Sequence, residues 1–225
     1  MTSALTEYDV IGDVHGCLHT LRRLIQELGY EETGYHPGGR RLAFVGDLVT
    51  RGLHSEETFL YVMGLVGMGR ASTVRGNQDM AWADENPSVG RWLRSMPLQL
   101  LVDNGRLLIV HAAVSAAVIG KTDEEAERWC LHGNATTGPD GMETRPDWQA
   151  TYDGEPFVVA GHSVVGEPRF REVGGGSVII DTGASHGSHA RDRFTDQAFV
   201  GYLSAFRWPE RTTLSVPTDG RDLAS

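Results

Sequence analysis

Three short apolar runs in the first half of the chain each end in a glycine-flanked loop carrying an acid or an amide, and no other feature restricts the fold so tightly. Residues 8–12 lead into Gly12-Asp13-Val14-His15-Gly16, residues 42–46 into Gly46-Asp47-Leu48-Val49-Thr50-Arg51-Gly52, and residues 71–75 into Gly76-Asn77-Gln78-Asp79. Helical patterns separate them. Leu18, Leu21, Leu24, Ile25 and Leu28 recur at the spacing of one helix face and stop at Gly29, a second helix is expected over about 55–66, and a short third one near Met80. Strands alternating with helices make βαβ units around a parallel sheet. Ligands of such sheets bind beyond the carboxyl ends of the strands, so the three loops are expected to converge.

After Pro97 the pattern changes. Residues 98–103 and 106–110 flank Asn104-Gly105, a hairpin signal because both turn residues tolerate positive φ. A helix is expected over about 122–131, then an irregular excursion over 133–146. Strands are expected at 157–160, 169–173, 177–181, 199–206 and 212–216, and the tail from 217 to 225 is expected to fray. No repeat or linker divides the sequence, which predicts one α/β domain over residues 1–225 with a mixed β second half.

Two of these later strands repeat the theme of the first three, delivering His111 and His162 at their ends. The inventory is then Asp13, His15, Asp47, Asn77, His111 and His162. A lone aspartate after a strand is ordinarily a turn or cap residue, and a lone histidine there a satisfied polar group. Six such residues in register at five strand ends point instead to a metal site. Only two cysteines, Cys17 and Cys130, are present, so the donors are oxygen and nitrogen. Such donors suit Mn, Fe, Co, Ni or Zn, with manganese the expected ion.

Composition narrows the partners. With 40% hydrophobic and 22% charged residues the chain has the makeup of a folded protein, and no apolar run approaches a membrane span. Residues 1–10 lack a secretion signal, and a cytoplasmic location is expected. A formal net charge of −10 disfavours nucleic acid as partner. The expected partner is a small phosphorylated metabolite.

The order GDVHG, GDLVTRG, GNQD, HAA and GHS resembles the phosphoprotein-phosphatase branch of the calcineurin-like metallophosphoesterases. From Cys130 onward, LHGN, RPDWQATYDGEP, VVAGHSVVGEPRF and VIIDTGA resemble bacterial bis(5′-nucleosyl)-tetraphosphatase-type enzymes and the phosphatase module of bacterial polynucleotide kinase-phosphatases. The resemblance implies a sandwich of two mixed β-sheets flanked by helices, and two divalent ions. Asp13 and His15 would bind one ion, Asn77, His111 and His162 the other, and Asp47 would bridge them. It also implies in-line attack of a bridging hydroxide on phosphorus, with Arg51 clamping phosphate and Asn77 beside it.

Two departures from that pattern matter. Thr50 replaces the usual aspartate of the arginine loop, and Gln78 replaces the histidine that, paired with the following acid, here Asp79, protonates the leaving oxygen. Glutamine donates a hydrogen bond but cannot surrender a proton. The candidates for a substitute acid are His54, His186, His189 and Asp79, and His54 is also expected to contact the substrate. The expected activity is phosphate release from a specialised nucleotide-like or sugar-phosphate monoester. The alternatives are hydrolysis of a dinucleoside polyphosphate, whose leaving group needs less help, and a non-catalytic phospholigand-binding protein. A cap over about 115–153, with Lys121, Arg128, Arg145 and Trp148, is a candidate to close on the substrate, with Trp148 either stacking on a ring or packing its loop against the domain.

Overall fold

The computed structural model describes residues 6–138, 141 and 143–224. Along the first half run β1 (Tyr8–Ile11), α1 (Leu18–Glu27), β2 (Arg41–Phe44), α2 (Ser55–Gly67), β3 (Ala71–Thr73), α3 (Asn77–Glu85) and α4 (Pro87–Ser95). The second half holds β4 (Gln99–Val102), β5 (Leu107–Val110), α5 (Glu124–His132), β6 (Thr136–Thr137), β7 (Glu143–Thr144) and β8 (Phe157–Ala160). It ends with β9 (Arg169–Arg171), β10 (Ser177–Ile179), β11 (Ala190–Arg191), β12 (Ala198–Phe199), β13 (Tyr202–Trp208) and β14 (Thr212–Pro217). α4 is an addition to the sequence reading: Pro87 opens it at a position where a missing N–H costs nothing, and Val89, Trp92 and Leu93 give it an apolar face.

Two five-stranded sheets result, in the orders β14-β13-β1-β2-β3 and β4-β5-β8-β10-β9. Each has a parallel core, β1-β2-β3 in one and β5-β8-β10 in the other, with antiparallel strands completing it. The facing sides meet through Val10, Ala43, Val45 and Phe206 of the first sheet and Ile109, Phe157, Val159 and Ile180 of the second. The Phe157 and Phe206 rings stack at 5.2 Å. The outer side of the first sheet is covered by α1 and α2, and that of the second by α5 with Trp148 and Tyr152. This is the expected sandwich of two mixed sheets flanked by helices.

As far as residue 224 the C-terminal tail does not fray, and the last residue of that expectation lies outside the described residues. A 3₁₀ turn over Gly220–Asp222 buries Asp222 completely, and its carboxylate accepts the backbone N–H of His19 at 3.0 Å and of Thr20 at 2.8 Å. These are early N–H groups of α1, whose own preceding residue, Cys17, makes no side-chain cap. The tail is ordered because it caps a helix some two hundred residues earlier in the chain.

Candidate metal centre

Because each sheet contains three adjacent parallel strands, six strand ends open on one region. β1, β2 and β3 lead to Asp13 and His15, Asp47, and Asn77; β5, β8 and β10 lead to His111, His162 and Asp181. The first two loops are tied together by backbone bonds: Val14 and His15 N–H both donate to Asp47 O, and Gly52 N–H to His15 O. His15, Asp47 and His162 adopt left-handed backbone at φ of 48°, 49° and 63°, as do Thr50 and Arg51 in the arginine loop. Each such residue costs about 1–2 kcal/mol, and clusters of such strain mark functional sites. Two glycines are required by close approach: a Cβ on Gly76 would collide with the Asp47 carboxylate, and one on Gly161 with that of Asp13.

Within this frame two groups of donors form. Ligand atoms of Asp13, His15 and Asp47 lie within 4.8 Å of one another, as do those of Asp47, His111 and His162; Asp47 is common to both. His15 Nδ1–H donates to Val49 O and His111 Nδ1–H to Val45 O, each at 3.0 Å, so both rings present an unprotonated Nε2 to the pocket. His111 Nε2 lies 2.9 Å from Asn77 Oδ1 and 3.5 Å from Asp47 Oδ2, and His15 Nε2 lies 3.6 Å from Asp47 Oδ2. Lone pairs therefore face lone pairs and a carboxylate, an arrangement that a cation relieves. His162 Nδ1 completes the second group, 3.0 Å from Asn77 Oδ1 and 3.1 Å from His111 Nε2.

The electrostatics agree with this reading. Burial holds the His15 imidazole down at about 3 and that of His111 at about 4, and it depresses His162 further, so all three are neutral at physiological pH. Burial pushes Asp47 up to about 7 and Asp79 to about 7, with Asp47 adding to the Asp79 shift. Asp181 is pushed to about 6 and Asp13 is raised well above the usual carboxylate range, in both cases chiefly by burial. Four carboxylates no more than 3% exposed crowd around neutral imidazoles, and divalent ions fit what they lack.

The other expected residues separate into those at the centre and those away from it. Arg51 Nη1 lies 3.0 Å from His15 Nε2, which puts its guanidinium at the edge of the first donor group. Gln78 contributes its backbone N–H, which holds Asp47 Oδ1 at 2.9 Å. Asp79 lies beneath, its carboxylate accepting Leu48 N–H at 2.8 Å and Gly76 N–H at 3.0 Å, so it ties the second loop to the third with both oxygens engaged and is not aimed at a leaving group. His54 is turned to the C-terminal turn, its Nε2–H donating to Arg221 O at 3.0 Å, which corrects its expected place on the substrate. Trp148 is corrected too: it is 4% exposed and packed with Tyr152 in the core under the second sheet, so neither ring face meets a ligand.

Two residues gain importance. Arg145, expected only as part of a cap segment, reaches the centre, its Nη1 lying 2.7 Å from His162 Nε2. Asp181 was overlooked, although it too follows a buried strand; its strand ends in Asp-Thr-Gly instead of Gly-Asp, and that break in the theme concealed it. Among the substitute acids, His186 keeps a buried Nδ1 without a hydrogen-bond partner, and burial together with the Arg51 charge holds its imidazole below its ordinary value, which weighs against its serving as an acid.

Comparison with known proteins gives concordant results. The family model described as "Calcineurin-like phosphoesterase" matches residues 8–181. A protein of Anoxybacillus flavithermus named "Bis(5'-nucleosyl)-tetraphosphatase PrpE [asymmetrical]" is 33% identical, covering 94% of each chain. One of the same name from Geobacillus sp. is 35% identical over 93% of this chain and 94% of its own. Among solved structures, a "putative diadenosine tetraphosphatase" superposes with a TM-score of 0.71 at 19% identity, covering 98% of this chain and 97% of that one, a likeness of fold.

Proposed function

Because the chain belongs to the calcineurin-like phosphoesterases, hydrolases of phosphate esters, we propose that it is a two-metal phosphohydrolase cleaving a phosphoanhydride bond of a small nucleotide of the dinucleoside polyphosphate kind. The observation that carries the two-metal part is the membership of Asp47 in both donor groups. Asp13 and His15 would hold one ion, Asn77, His111 and His162 the second, and Asp47 both, with manganese the expected metal. Bound there, two divalent ions supply Lewis acidity and activate water at neutral pH.

The remaining work falls to the chain's own residues. Arg51 and Arg145, next to His15 and His162 respectively, flank the two donor groups and would offer planar forks to phosphate oxygens. Asp79 and the Gln78 N–H hold Asp47 and its loop in place. The choice of an anhydride over a monoester rests on Gln78. An alkoxide leaving oxygen needs a proton that Gln78 does not have, whereas a phosphate leaving group departs as a much weaker base. The names of the relatives at 33–35% identity support the same choice. We assign the protein to the cytoplasm, with which two free, buried cysteines accord; among the described residues no helix is long and apolar enough to cross a membrane.

The test is hydrolysis by the manganese-loaded protein of diadenosine tetraphosphate, a nucleoside 5′-monophosphate and an aryl phosphate, compared by kcat/KM. Preference for the tetraphosphate is expected. Faster release from the monophosphate would return the assignment to the monoester class, and no release from any of them would leave a phospholigand-binding protein.

A further inference from the structure

Outside the centre described above, His19, His54 and Asp222 form another group whose ligand atoms lie within 4.8 Å of one another. They come from the first turn of α1, the residue preceding α2, and the C-terminal 3₁₀ turn. We propose that these three side chains form a separate site for one borderline divalent ion, Zn²⁺, Ni²⁺, Co²⁺ or Cu²⁺, that clamps the tail to the starts of both helices.

Donor chemistry and tautomer both favour it. The carbonyl of Arg221 accepts from His54 Nε2, so that nitrogen carries the proton and the lone pair is left on Nδ1. The catalytic histidines use the same device, a backbone carbonyl that sets which ring nitrogen is free. The His19 ring stands edge-on to that of His54 with centroids 4.9 Å apart. Asp222 is fully buried, and its carboxylate accepts three hydrogen bonds, from His19 N–H, Thr20 N–H and Thr20 Oγ1–H, which leaves roughly one acceptor position of about four for an ion. Both imidazoles are half-buried, so the site opens to solvent on their side. Two imidazoles and a single carboxylate select borderline transition ions over Mg²⁺ or Ca²⁺, and three protein ligands leave the fourth tetrahedral position to water.

Occupancy has a structural consequence. Asp222 O accepts Leu53 N–H at 3.0 Å, so the clamp bears directly on the segment that follows Arg51 and Gly52. The site is independent of the proposed reaction, since none of its ligands belongs to the catalytic groups.

Metal counting separates the two sites. In an Asp47→Ala/His162→Ala background, which cripples the catalytic centre, the protein is equilibrated with buffered Zn²⁺ and its metal content measured with and without His19→Ala, folding being monitored by circular dichroism. His19→Ala should remove one equivalent per chain and weaken zinc binding at that site at least about 100-fold. His19→Gln, which keeps a polar side chain of similar length, should remove it as well. Equal zinc content with and without the His19 substitutions overturns the proposal, whether that content is zero or not.

Discussion

Gln78 concentrates the chemical question in a single side chain, because its amide cannot surrender a proton while its backbone N–H anchors Asp47. Restoring the proton should therefore act selectively. Gln78→His is expected to raise kcat on an aryl or alkyl monoester by about 10²-fold or more and on diadenosine tetraphosphate by less than about tenfold, measured by phosphate release and nucleotide chromatography respectively. Equal gains on both would mean that anhydride cleavage also waits for an acid. Arg51, exposed at its loop but next to His15, is predicted to act on phosphate. Arg51→Ala should lower kcat/KM by about 10²–10³-fold, and Arg51→Lys should recover only part of it, because lysine lacks the planar fork. At this scale the six strand-end donors were legible, since residue type and position at a strand end are both visible in sequence. Trp148 and His54 were misread for the opposite reason: they lie in irregular segments, where nothing in the spacing tells whether a ring packs inward or faces the site.

Elements explain why those side chains stay in place. β1 carries the first donor loop, and its one charged residue, Asp9, is fully buried between Arg40 and Arg207, whose Nε atoms each lie 2.9 Å from its carboxylate. Asp9→Ala would leave the 5%-exposed Arg40 side chain to Glu210, 2.8 Å away, and is expected to cost about 1.5–3 kcal/mol in chemical denaturation. Gly161→Ala tests the loop after β8: the added methyl has no room beside Asp13, so metal binding should weaken more than overall stability does, read by titration against thermal melting. Periodicity and glycine punctuation exposed β1, α1, β2, α2 and β3 early. They failed at the tail, where the ordering force is a carboxylate meeting N–H groups two hundred residues away, a contact with no local signature.

Across the whole molecule, the net charge of −10 has a specific local part in Asp13, Asp47, Asp79 and Asp181, all buried at one place. With chelator present, folding must hold Asp47 and Asp79 near pH 7 as partly protonated groups. A carboxyl raised above its unfolded value binds more protons folded than unfolded, so its ionisation removes stability as pH rises. Below about pH 6.5 the depressed histidines oppose this trend, because the unfolded chain protonates them more readily. Above it only the carboxylates remain. The metal-free protein is thus predicted to lose melting temperature between about pH 6.5 and 8, whereas the manganese-loaded protein should hold or gain, since binding needs the ionised carboxylates. Asp47 is the carboxylate that both donor groups share, and the decisive measurement is manganese-dependent hydrolysis of diadenosine tetraphosphate by the wild type and by Asp47→Ala. Loss of at least about 10³-fold in kcat/KM, together with loss of bound manganese in a protein that remains folded, is the predicted result. Retention of activity or of two manganese ions without that carboxylate would contradict it.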